Sequence, residues 1–132
     1  MPLVTSDFRF PTAFFPGRAP IDAYGNGGFR FADMSHRGSI MCLPSGIHGW
    51  APRTFAEVTL EAFARVLAEA GELQLLLLGT GAAQIFPPGE LKREIEAAGI
   101  ALETMATGAA ARTYNILLAE QRRVGAALLA VD

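Results

Sequence analysis

Two short segments hold the residues best suited to bind a ligand. Gly79-Thr80-Gly81 ends an apolar run, Leu-Gln-Leu-Leu-Leu-Leu, over residues 73–78. Thr107-Gly108-Ala109 opens a stretch with helical spacing. Glycines at a strand's end free its backbone to approach a neighbour. A helix start offers N–H groups without intrahelical acceptors and the positive end of the dipole. Side by side, these segments would make a mouth for an anion. Arg112, one turn into the helix, would add charge, and Asn115 would follow three residues later on the same face. The candidate residues are therefore Gly79, Thr80, Gly81, Thr107, Gly108, Arg112 and Asn115. The competing reading is that the glycines only shape tight turns and Arg112 pairs with a nearby acid, since Gly-rich turns are common without ligands.

Other chemistries find weaker support. Gly79-Thr80-Gly81-Ala82-Ala83-Gln84 approaches a dinucleotide fingerprint, and Glu103 stands at about the right distance. Gln84 nevertheless replaces the third small residue, and Pro87-Pro88 falls where the helix should already be running. The soft metal ligands His36, Cys42 and His48 divide between two turns and a strand, so neither a metal nor another cofactor is expected. Ser45-Gly46 does not make a nucleophile elbow, and His48 has no evident orienting acid. The carboxylate pairs Glu61/Glu69 and Glu94/Glu96 fall on solvated helix faces. No catalytic residue is assigned, and the balance leans away from an enzyme.

The elements that must position the mouth follow from the spacing of apolar residues. Runs at residues 21–24 and 29–31 flank Gly25-Asn26-Gly27-Gly28, a hairpin loop that supplies positive φ angles. Residues 35–38 read as a second turn and 39–43 as the third strand of an antiparallel meander. Residues 47–58 read as a connection, anchored by Trp50. Helix one is expected over 60–70, with Thr59 as N-cap, Gly71 as its end, and Leu60, Phe63, Val66, Leu67 and Ala70 as its apolar stripe. Residues 73–78 form the central strand, buried on both faces. Helix two spans 89–98 with Leu91, Ile95 and Ala98 inward and Gly99 as cap. A strand at 100–103, a helix at 107–121 capped by Thr107, and a strand at 124–131 complete the chain. Ala110, Tyr114, Leu117 and Leu118 make the buried stripe of that last helix. Helix–strand alternation from residue 60 predicts a parallel sheet with right-handed crossovers. The fold class is α/β: one compact three-layer domain with a mixed sheet, an N-terminal meander and a C-terminal parallel part.

The 132 residues are about one domain's worth, 51% hydrophobic and 18% charged, which suits a packed core. A net charge of −2 without a basic run argues against nucleic acid. One cysteine excludes an intrachain disulfide and fits a reducing compartment. No apolar run reaches a membrane span and no secretory signal is visible. The default is a cytoplasmic protein, monomeric or weakly dimeric. Residues 1–18 read as an irregular arm and 19–132 as the domain. The arm holds Phe8, Phe10, Phe14 and Phe15; a strap over the core is favoured over a partner-binding arm, because exposed Phe clusters are costly.

Several blocks together resemble a known family: Tyr24-Gly25-Asn26-Gly27-Gly28-Phe29, Gly38-Ser39-Ile40, residues 75–81, Gly99-Ile100, Glu103-Thr104-Met105-Ala106-Thr107, and Ala111-Arg112-Thr113-Tyr114-Asn115-Ile116-Leu117 with Glu120 and Arg123. It is the family of small single-domain proteins that includes the adipogenesis-associated domain protein and assembly factor three of mitochondrial NADH:ubiquinone oxidoreductase. The resemblance covers roughly residues 19–131, and its Arg-Thr-Tyr-Asn block is the most specific part. It implies a three-layer α/β fold and a bacterial member of uncharacterised function, with no catalytic residues to carry over. It also implies a protein partner of the respiratory-assembly kind. The absence of a targeting presequence argues against a mitochondrial address. Tyr114 is expected to anchor the core and Asn115 to tie the glycine loop.

Overall fold

The computed structural model describes residues 15–132. Phe8, Phe10 and Phe14 lie outside the described residues. Leucine and alanine build the middle layer. β6 (Leu75–Gly79) pairs in parallel with β7 (Ala101–Met105) on one side and β8 (Val124–Leu128) on the other. β8 pairs antiparallel with β4 (Ser39–Leu43), and β4 with β5 (Gly46–Trp50) across the turn Pro44-Ser45. The order is β5-β4-β8-β6-β7, so β8 holds the centre and β6 lies one place away.

Side chains alternate along each strand and sort into two cores. Leu76 and Leu78 of β6, Met41 and Leu43 of β4, and Ala127 of β8 face one side. There they meet Phe63, Val66 of α1 (Ala64–Ala68), and Leu91 and Ile95 of α2 (Gly89–Ala97). Leu77, Ile40, Cys42, Ala126 and Leu128 face the other side. They meet Ala110, Ala111 and Tyr114 of α3 (Thr107–Ala119) and Phe29 and Phe31 of a separate meander. At about 1.5–3 kcal/mol per fully buried leucine, the leucines of β6 form a large part of both cores.

The meander is β1 (Ala23–Gly25), β2 (Gly28–Phe31) and β3 (Met34–Arg37). Asn26 and Gly27 take φ of 53° and 78°, as the expected loop supplies, but the turn is only two residues long because Gly25 and Gly28 pair as strand ends. The third strand differs from expectation. Ala32 and Asp33 also turn through positive φ, 49° and 62°, so the chain reverses early and residues 34–37 pair instead of turning. Gly38, at φ +103°, then redirects the chain, and residues 39–43 enter the main sheet. Residues 46–50, with 47–50 expected to begin a connection, are the edge strand β5; pairing along the whole of β4 overrides two glycines of poor strand propensity.

The expected first helix is a broken one. Leu60–Phe63 and Ala70–Glu72 are 3-10 turns on either side of the short α1. The Trp50 indole N–H donates to the Ala62 carbonyl at 2.7 Å, engaging an acceptor of the first turn. Thr59 makes no side-chain cap bond, Gly71 sits inside the last 3-10 turn, and Leu60 is exposed. Trp50 itself is buried against Phe63, with ring centroids 5.6 Å apart. In α2, Leu91 and Ile95 point inward, whereas Ala98, past the last turn, is exposed. α3 stops at Ala119 because Gln121 turns to φ 60°. The N–H groups of Gln121 and Arg122 then bond to the carbonyls of Leu118 and Leu117, a Schellman closure.

Candidate functional site

The tip of β6 and the start of α3 meet. The Thr107 N–H donates to the Gly81 carbonyl at 2.8 Å, and the Gly81 N–H donates to Thr107 Oγ1 at 3.0 Å. Thr107 Oγ1 also donates to the Leu129 carbonyl at 2.7 Å, and the Leu129 N–H donates to the Gly79 carbonyl at 3.0 Å. One hydroxyl thus ties the carboxyl ends of β6 and β8 to the first residue of α3. Ala106, not Thr107, occupies the N-cap position: residue 106 keeps extended backbone (φ −58°, ψ 150°) and the helix begins at 107. Gly79 permits this approach, since a Cβ there would lie 2.9 Å from Leu128 Cδ2 and 3.0 Å from Thr107 Cα. The Thr80 N–H donates to the Met105 carbonyl, and its hydroxyl donates to the Ala83 carbonyl and accepts from the Ile85 N–H.

Gly79, Thr80 and Thr107 are therefore buried parts of the junction. In front of them lies an open concavity of about 620 Å³ lined by Gly81, Ala82, Gly108, Ala109, Arg112 and, from elsewhere, Tyr24, Arg53 and Asp132. Gly108 lets the Tyr24 ring lie against the helix start, because a Cβ would overlap the Tyr24 hydroxyl and push that side chain away. The Thr107 N–H is engaged by Gly81, and the first intrahelical bond runs from Ala110 N–H to the Ala106 carbonyl. The N–H groups of Gly108 and Ala109 have no intrahelical acceptor. Arg53 and Arg112 bring positive charge to the rim, and Asp132 offsets part of it.

Asn115 stands apart from this concavity. Its amide accepts from the Ile21 N–H and donates to the Ile21 carbonyl, both at 2.8 Å. It clamps the chain entering the meander onto α3 and does not tie the glycine loop, because a long-range pair of backbone groups at Ile21 matches its donor and acceptor. Tyr114 is fully buried in the second core, as the helical stripe implies. Its hydroxyl has no hydrogen-bond partner among the described residues, and burial raises its pKa.

A second polar cluster escaped the sequence reading. Ser45, in the β4–β5 turn, places Oγ 2.8 Å from His48 Nε2 and 2.5 Å from Glu69 Oε2, while its N–H donates to Glu69 Oε1 at 3.0 Å. The serine hydroxyl donates to the carboxylate, so His48 Nε2–H donates to the serine and Nδ1 is left without a partner among the described residues. The acid holds the serine and not the imidazole, which is the reverse of a nucleophile's relay. The cluster tethers the hairpin to the end of α1. Burial, with Arg65 adding to it and Glu69 opposing, lowers the His48 pKa to about 4. Only the i, i+3 spacing of Ser45 and His48 hinted at it; Glu69 is 24 residues from Ser45. Cys42 is buried with its thiol pKa pushed up by desolvation, an inert core residue. Cys42 and His48 face opposite cores, and His36 belongs to β3. Among the described residues no three His, Cys, Asp or Glu side chains converge, and no helix is long and apolar enough to cross a membrane.

Comparison with known proteins places the chain in a family. The chain is 44% identical over 115 residues to an uncharacterised protein of Rhodobacter capsulatus, covering 87% of each. Over 109 residues it is 29% identical to NADH dehydrogenase [ubiquinone] 1 alpha subcomplex assembly factor 3 of Danio rerio. That alignment covers 83% of this chain and 63% of that longer protein. The fold matches a crystal structure described as an outer membrane protein from Bartonella henselae with a TM-score of 0.86 and 56% identity, over 89% of this chain and 99% of that one. Residues 21–129 match the model of a protein family of unknown function, DUF498/DUF598. From the meander to the last residue of the junction, the chain belongs to that family.

Proposed function

We propose that the chain is a non-enzymatic interaction module that acts like an assembly factor. The carrying observation is its alignment, along 83% of its length, with a respiratory-complex assembly factor. The exposed Phe86 and Ile85 support it, as side chains that a partner would cover. In this reading the protein is cytoplasmic, monomeric or weakly dimeric, and binds protein and not nucleic acid; residues 1–18 form an arm on the domain of 19–132. The test is co-purification of the tagged full chain from its own cells, with complex I maturation followed after its deletion. Recovery of complex I subunits, with partly assembled complex accumulating in the deletion, is expected. Normal maturation with no subunit recovered would contradict it.

A second reading is favoured by one feature, the two arginines on the rim of the concavity. Here Gly81, Gly108 and Arg112 hold a small anionic metabolite, with Gly79, Thr80 and Thr107 as the buried frame and Asn115 as the clamp behind. A panel of phosphate and carboxylate metabolites should then raise the melting temperature of the wild type and not of Arg112→Ala. A panel that leaves the wild type unmoved removes this reading.

A further inference from the structure

β7 ends the sheet, with β6 as its one strand neighbour among the described residues. In a parallel ladder a residue's N–H and C=O both point to the same side. The Ala101 N–H donates to the Gln74 carbonyl and the Met105 carbonyl accepts from Thr80, so residues 101, 103 and 105 address β6. Leu102 and Thr104 therefore direct their backbone groups outward. The Thr104 carbonyl confirms this direction, because it accepts a 2.9 Å bond from the Gln84 side-chain amide. Gln84 thus imitates one N–H of an added strand.

The side chains beside this edge divide by face. Glu103 is the register partner of Leu77, is exposed, and lies on the α3 side. Leu102 and Thr104 lie on the α2 side, where Phe86, Pro87 and Lys92 join them around a groove of about 280 Å³ that Gln84 and Glu103 also line. Phe86 is 78% exposed.

We propose that the outer edge of β7 is a docking site for an extended segment of a partner protein, bearing a basic residue flanked by apolar ones. This rests on the interaction-module reading and names its surface. The incoming backbone would bond to Leu102 and Thr104, displacing the Gln84 amide. Its basic residue would lie opposite Glu103. The residues on either side of it would point to the α2 face, into the groove at Phe86 and Pro87. Charge selects this occupant over a second copy. The antiparallel register that engages both Leu102 and Thr104 in two copies sets Glu103 against Glu103, a like-charge pair that disfavours self-pairing.

The test uses the full ¹⁵N-labelled chain and two acetylated, amidated pentapeptides, Thr-Val-Arg-Val-Thr and Thr-Val-Glu-Val-Thr, read by amide exchange. The arginine peptide should slow exchange at Leu102 and Thr104 by about tenfold. It should also bind roughly threefold to fivefold more tightly than the glutamate peptide, the range a cross-strand charge pair provides. Glu103→Lys should invert that preference, and Phe86→Ser should weaken both peptides. No change in exchange with either peptide at millimolar concentration would overturn the proposal, as would a preference indifferent to Glu103→Lys. In cells, subunit recovery that survives Glu103→Lys and Phe86→Ser together would sink the edge while the interaction-module reading stands. Recovery abolished by that pair, with the variant still folded by its amide spectrum, supports both.

Discussion

The two edges of the five-stranded sheet are finished differently. At β5, Phe15 lies alongside as an antiparallel bridge, exchanging both backbone bonds with Ile47 at 3.0 and 2.8 Å. The Ser45–His48–Glu69 cluster pins the hairpin behind it, and Trp50 closes the strand against the first core. At β7, one amide side chain from a loop covers one carbonyl. An edge bridged at its middle by the chain's own backbone serves stability. An edge closed by a displaceable side chain, with an exposed aromatic beside it and a carboxylate guarding against self-pairing, is suited to a partner.

Four changes break or sharpen this contrast. Asn115→Ala removes both partners of the Ile21 backbone, at about 1–3 kcal/mol for each group left unpaired. A loss of roughly 3 kcal/mol is expected in urea melts, with exchange rising in the meander and at Ile47 but not at Glu103. Next comes acid. The folded His48 value of about 4 lies below the ordinary 6.5, so below pH 6.5 the unfolded chain takes up a proton that the folded chain refuses. Stability should be flat above pH 7 from this group and fall by about 2 kcal/mol by pH 5. His48→Gln should flatten that slope, while amides of β7 keep their relative protection. Tyr114→Phe deletes a buried hydroxyl without a hydrogen-bond partner among the described residues and should leave stability unchanged or raise it by about 1 kcal/mol. Gln84→Ala should cost no more than about 0.5 kcal/mol, because its bond is exposed. It should tighten the arginine peptide all the same.

What could be read from residue types was set by local pattern. The leucines before Gly79, the stripe through Ala110 and Tyr114, and the Asn26-Gly27 turn carry their structure in their own spacing. The meeting of Gly81 with Thr107 followed from the rule that parallel strands end at one side of a sheet. The misread parts depend on distant partners. Ser35-His36-Arg37-Gly38 looks like a turn until β2 pairs with its first three residues, and Gly46–Trp50 becomes a strand through β4. Asn115 points to the junction by its place on α3, yet its amide finds Ile21, 94 residues away. Ser45 meets Glu69 only because α1 ends over the hairpin. No local spacing encodes such contacts.

The central claim, that one edge is bridged by backbone at Ile47 and the other is open among the described residues, is tested most directly by amide exchange on the free protein, residue by residue. Ile47, bonded to Phe15, and Glu103, directed at β6, should exchange slowly, and Leu102 and Thr104 faster by about a hundredfold or more. Leu102 as slow as Ile47 would mean that the β7 edge is already occupied, and the account would fail.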